Sequence, residues 1–111
     1  MYMYVFVRTD LPVPQQCVQA AHACVESTKK WPYTGDHPHL VVLGVPSEAK
    51  LLQALDRIRD AGIRAVPFIE PDIGHQTTAV ATEPVGEDLR HHFRRYQLIR
   101  GKSTALVGGA S

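Results

Sequence analysis

The sequence predicts an α/β fold: a single domain with a mixed four-stranded sheet and helices on both faces. Three observations carry this. Tyr2 to Val7 and Leu40 to Val45 are dense in apolar, aromatic and β-branched residues, as strands buried on both faces are. Helix-like stretches separate the strands and give the order β-α-β-α-β-β-α. The chain has 111 residues, which supports one domain with a modest core.

Arg8, Thr9 and Asp10 end the first strand, and the Pro-rich Leu11 to Pro14 leads into the first helix. Pro14 suits the first helical position, where a missing N–H costs nothing. On this helix Gln15, Gln19, His22 and Glu26 fall within an arc of roughly 60°. Cys17, Ala20, Ala21, Cys24 and Thr28 lie opposite, as a back of small residues that allows close packing. Amides plus a histidine suit a ligand-bonding face better than ordinary Lys and Glu filler. The helix runs to about Lys30, with Lys29 and Lys30 near its negative end.

Trp31 to His39 reads as loop, broken by Pro32, Gly35 and Pro38. Its Asp36, His37 and His39 fit an exposed turn better than a metal cluster. After the second strand, Ser47 is a natural N-cap for a helix whose buried face is Leu51, Leu52, Leu55 and Ile58. Gly62 is placed to close it. Ile63 to Ile69 is a third strand, and Pro67 puts it at an edge or a bulge. The Glu70 to Gln76 turn is short enough to make the fourth strand, Thr77 to Thr82, antiparallel to the third. A last helix is expected over about Glu87 to Ile99, with Leu89, Phe93 and Tyr96 as its buried seam. Arg90, Arg94, Arg95, Arg100 and Lys102, with His91 and His92, surround that seam, and arginine forks suit phosphate oxygens. Residues 101–111 are small and Gly-rich and read as a flexible tail.

The net charge of +1 gives no overall basic field, so any RNA contact needs a local patch. The two cysteines, seven residues apart on one helix, lie about 10 Å apart and cannot pair. They read as small buried residues of a reduced, cytoplasmic protein. No apolar run approaches the ~20 residues of a membrane span, so no membrane partner is expected. No metal site is expected.

The string Val7-Arg8-Thr9-Asp10-Leu11 followed by Gln19-Ala20-Ala21-His22-Ala23 resembles the type II peptidyl-tRNA hydrolase family. His39 to Leu43, Pro46-Ser47-Glu48, Gly62-Ile63 and Thr78 to Ala81 extend the resemblance to about Ile99. The last third looks most like the shorter peptidyl-tRNA hydrolase domain-containing branch. The resemblance implies a four-stranded mixed sheet and hydrolysis of the ester joining a peptide to the 3′ ribose of tRNA. It implies homodimers and no organic cofactor, with the acceptor end of peptidyl-tRNA as the partner. The family's longer Gly- and Lys-containing loop before the helix is shortened here to Pro12-Val13-Pro14, and Gln15 stands where the family's lysine would. The family's later loop aspartate corresponds to Asp72 or to Glu70, depending on one gap. Gln19 and His22 match the motif directly, and Thr77 matches a loop threonine.

Ester hydrolysis needs an activated water and donors for the oxyanion. His22, Gln19 and Asp72 are therefore the candidate catalytic residues. Gln15, Thr77, Arg90, Arg94 and Arg95 are the candidate substrate-binding residues. The alternative is a weak or inactive member acting as an RNA- or protein-binding module, which the missing lysine favours.

Overall fold

The computed structural model describes residues 1–99. The tail expected over 101–111 lies outside the described residues. Five strands and two α-helices follow in order: β1 (Tyr2–Arg8), α1 (Val13–Lys30), β2 (His39–Val45), α2 (Glu48–Asp60), β3 (Ala65–Glu70), β4 (Gln76–Thr82) and β5 (Gln97–Leu98). Short 3₁₀ segments, Pro71–Ile73 and Glu87–Phe93, lie between β3 and β4 and before β5.

The strands form one sheet in the order β3-β4-β1-β2-β5. β1 and β2 pair in parallel along their whole length, from Tyr2 opposite His39 to Arg8 opposite Val45. β4 runs antiparallel to both β1 and β3, and β5 antiparallel to β2. Pro67, which has no N–H to give, sits on the edge strand β3.

Strand alternation sends the central residues to two cores. Tyr4, Phe6, Leu43, Val45 and Val80 face α2, whose Leu51, Ala54, Leu55 and Ile58 pack onto them. Burying a Leu or Ile side chain stabilises by about 1.5–3 kcal/mol, so this face supplies much of the hydrophobic stability. Ser47 caps α2, its side chain accepting from Lys50 N. On the other face Met3, Val5, Val7, Ala79 and Ala81 meet Ala20, Ala23 and Cys24 of α1.

The sheet has five strands, not the four expected. The error lies in the last segment, read as one helix over Glu87 to Ile99. Its helical part is a 3₁₀ turn that stops at Phe93. Phe93 stacks on Tyr4 at 3.7 Å between ring centroids, and Tyr96 sets its ring edge against Phe6 at 4.8 Å. A seam of Leu89, Phe93 and Tyr96 fits either conformation. Two features favour the strand: β2 would otherwise leave an open edge, and Ile99 packs on the α1 face of the sheet. Gln97 and Leu98 cover that edge opposite Gly44 and Leu43, and Ile99 N–H donates to Val42 O.

Candidate active site

β1 ends in Arg8, which is 8% exposed. A buried guanidinium needs partners for its donors. Asp10 supplies two, accepting from Nε at 2.9 Å and from an Nη at 2.8 Å. Gln76 Oε1 accepts at 2.7 Å and the Thr77 carbonyl at 3.3 Å. This fork ties the end of β1 to the start of β4. It also holds the Asp10 carboxyl below its ordinary range, chiefly through the Arg8 hydrogen bonds. Glu48, at the start of α2, accepts from Thr77 N–H at 2.8 Å.

Thr9 folds back onto β2, its N–H and hydroxyl both donating to Val45 O. That approach needs Gly44, because a Cβ there would lie 2.7 Å from the Thr9 methyl. The chain then enters α1 through Pro12, and Gln16 Nε2 donates back to the Thr9 and Leu11 carbonyls. This short connection brings Gln15 and Gln19 close to the ends of β3 and β4.

α1 is turned differently from the expectation. Its buried residues are Gln16, Gln19, Ala23 and Ser27, while Cys17 and Ala21, on the small-residue back, are exposed. Cys24 is half-buried, and its thiol is pushed up by that burial. The buried polar groups are accommodated because each finds a partner. Ser27 Oγ, for example, donates to Thr82 O at 2.8 Å.

Gln19 is the centre of the arrangement, 1% exposed and bonded at both ends of its amide. Its Oε1 accepts from the Thr78 hydroxyl at 2.6 Å. Its Nε2 donates to Glu70 Oε2 at 3.1 Å and to Gln15 Oε1 at 3.3 Å. One side chain thus joins α1, β3 and β4. Thr78 reaches it through a slip in the ladder: Phe68 pairs with Ala79, but Ile69 pairs with Thr77. The extra residue is Thr78, and such bulges re-aim side chains.

Next to this hub the exposed His22 ring stacks on Phe68, centroids 4.5 Å apart and planes 11° apart. His22 stands three residues after Gln19, and Phe68 two before Glu70. The two pairs are therefore successive rungs of one helix–strand contact. Asp72 is exposed on the 3₁₀ turn, and its N–H donates to Glu70 Oε1 at 3.3 Å. The Asp72 carboxyl has no hydrogen bond among the described residues, so Glu70 is the carboxylate that reaches Gln19. Gly74 and His75, with φ of 60° and 57°, turn the chain back so that Gln76 pairs with Glu70.

The candidate binding residues divide. Gln15 is exposed at the hub. Thr77 contributes its backbone, through Glu48 and Arg8. Arg90 is engaged internally: Nε donates to Tyr4 Oη at 2.8 Å, and the guanidinium lies 3.9 Å from the Tyr2 ring centroid. Arg94 and Arg95 are exposed and line different grooves on either side of Tyr96.

Sequence reasoning missed Thr78 and Phe68 as parts of this site. Thr78 stood beside Thr77 in the string, but only the bulge decides which threonine faces the helix. Among the described residues, no group of three or more His, Cys, Asp or Glu side chains is gathered to hold a metal. None of the helices described is long and apolar enough to cross a membrane.

A neutral amide (Gln15) and a carboxylate (Glu70) are both bonded to the buried Gln19 amide, with the His22 imidazole stacked on Phe68 one rung away. The fold is similar to that of a protein of unknown function from Agrobacterium tumefaciens strain C58. The two match with a TM-score of 0.66 over 89% of this chain and 97% of that one, at 15% identity. No curated protein matches the sequence. The family model described as peptidyl-tRNA hydrolase PTH2 matches residues 1–98, and the chain belongs to that family.

Proposed function

We propose that this chain hydrolyses the ester between a peptide and the 3′ ribose oxygen of tRNA, with the site centred on Gln19. The observation that carries this reading is the Gln19 amide, bonded to Gln15, Glu70 and Thr78 together. Gln19 has no free donor, so it acts as a positioning residue. It turns Gln15 so that Oε1 points inward and leaves the Gln15 N–H groups for a substrate oxyanion. Water adds to the ester carbonyl, and His22 takes the proton the water loses. The bond to the ribose oxygen then breaks, and that oxygen receives the proton. Glu70 stands one rung along from His22 on the same helix–strand contact, with Asp72 beside it on the turn. A positioned base contributes typically 10²–10⁴-fold in rate.

A neutral amide stabilises an oxyanion less than a cation does, so turnover is slower than in lysine-bearing relatives. One observation favours the second reading, a binding module: none of the residues bonded to Gln19 is a cation. Hydrolysis of an N-blocked aminoacyl-tRNA by the pure protein, beside a lysine-bearing relative, separates the two.

The partner in this reading is the acceptor end of tRNA, met by Arg94 and Arg95, with Arg90 holding their segment. The protein acts as a homodimer through the outer face of α1. There Val18 and Val25 are 47% and 56% exposed, and Leu40, 57% exposed, lines a groove with Cys17 and Ala21. Its two free thiols and its substrate suit the cytoplasm.

A further inference from the structure

The groove between α2 and the segment before β5 has no part in the hydrolytic site. Its volume is about 330 Å³, and Lys50, Gln53, Arg57, Arg95, Tyr96 and Gln97 line it. Lys50, Gln53 and Arg57 stand at i, i+3 and i+7, on one face of α2. Arg95 enters from the opposite wall. None of the groove's lining residues is acidic, and none of its three cations forms an ion pair among the described residues. By contrast, Arg8, Arg64 and Arg90 all have carboxylate partners. Arg57 and Tyr96 line the groove together.

Three unpaired cations converging on one concavity repel one another, and an anion relieves that repulsion. Arg57 lies in the last turn of α2, where a cation favours the helix dipole. The dipole accounts for its sign but not for its place in the same groove as Arg95. Gly44, Val45 and Pro46 also line the groove, and Thr9 is bonded to Val45 O where the chain turns toward α1, so the groove opens at the end of the sheet where α1 begins. The net charge of +1 makes a local site of this kind the means by which the protein would grip a polyanion.

We infer that Lys50, Arg57 and Arg95 form a phosphate-binding pocket that holds a backbone phosphate of an RNA substrate while its 3′ end lies at Gln19. The identity of the ligand rests on the peptidyl-tRNA reading above. Lys50 supplies a point charge, and the two guanidinium forks bond phosphate oxygens in pairs. The Gln53 and Gln97 amides complete a polar lining.

The test measures binding of a 3′-CCA-ended RNA hairpin by fluorescence anisotropy over a series of salt concentrations. Each of Lys50→Ala, Arg57→Ala and Arg95→Ala should weaken binding roughly three- to tenfold and flatten the slope of log affinity against log salt by about 0.7–0.9. Arg57→Lys should keep the slope. Lys29→Ala removes the same charge elsewhere and should change neither quantity. Thermal melting of each variant checks that the fold is intact. If the wild type binds the hairpin and the three pocket variants behave like Lys29→Ala, the pocket is overturned and the substrate reading stands. If the wild type neither binds the hairpin nor hydrolyses an N-blocked aminoacyl-tRNA, the pocket and the substrate reading fall together.

Discussion

The Thr78 hydroxyl donates to Gln19 Oε1 over 2.6 Å, and both side chains are almost wholly buried. The bond exists because the β3–β4 ladder slips by one residue at Thr78. Thr78→Val keeps the shape and removes the donor, leaving a buried carbonyl unsatisfied at a cost of about 1–3 kcal/mol. The melting temperature should fall by several degrees, as a loss of this size brings in a domain this small. Turnover should fall as well, because Gln19 would then be free to rotate away from Gln15. Thr78→Ser should restore both, read by thermal melting and by the hydrolysis rate.

Gln15 is exposed, and its carbonyl is held by Gln19. A lysine at this position would bring a cation to the same mouth. Gln15→Lys should therefore raise the hydrolysis rate by tenfold or more, since charged donors stabilise a developing oxyanion far better than neutral ones. An unchanged rate in a folded Gln15→Lys protein would place the oxyanion elsewhere.

The strands and the cap of α2 could be read from sequence because local rules determine them. Val5, Phe6, Val7 and Leu43 are buried by their own apolar character, and Ser47 caps by its own hydroxyl. Gln19 and His22 could be picked out as polar residues on one helix face. Other features depend on partners distant in the chain. The burial of Gln19 is set by Thr78 and Glu70, while Cys17 and Ala21 are left exposed. The fifth strand forms because β2 has an open edge, which nothing within Gln97-Leu98 signals. That Glu70, and not Asp72, bonds Gln19 depends on the turn itself.

Asp10 gives a pH dependence. Its carboxyl is held below the ordinary aspartate value of 3.8, chiefly by its hydrogen bonds with Arg8. A group whose folded pKa is depressed stabilises above its unfolded value and loses that effect as pH falls through the folded one. The wild type should therefore lose stability progressively below about pH 4 partly through this pair. Asp10→Asn should be less stable at pH 7 and show a smaller decline between pH 4 and 2, measured by denaturant melts across pH. Because Asp10 is partly exposed, solvent screening keeps the difference small.

Arg90 distinguishes architecture from RNA contact. It bonds Tyr4 Oη and covers the Tyr2 ring, which pins the 3₁₀ turn to β1. Arg90→Ala should lower the melting temperature and leave the salt slope of RNA binding within error of wild type. A normal melting temperature with a flattened slope would instead make Arg90 a phosphate contact.

The most direct test of the central claim is the single-turnover rate of N-blocked aminoacyl-tRNA hydrolysis by wild type, Gln19→Ala and His22→Ala, each checked for folding. Cleavage by the wild type should be slow but measurable. Both variants should lose a hundredfold or more, because a base and its positioning each contribute on that scale. Cleavage by the wild type that both folded variants retain in full would contradict a site centred on Gln19 and His22.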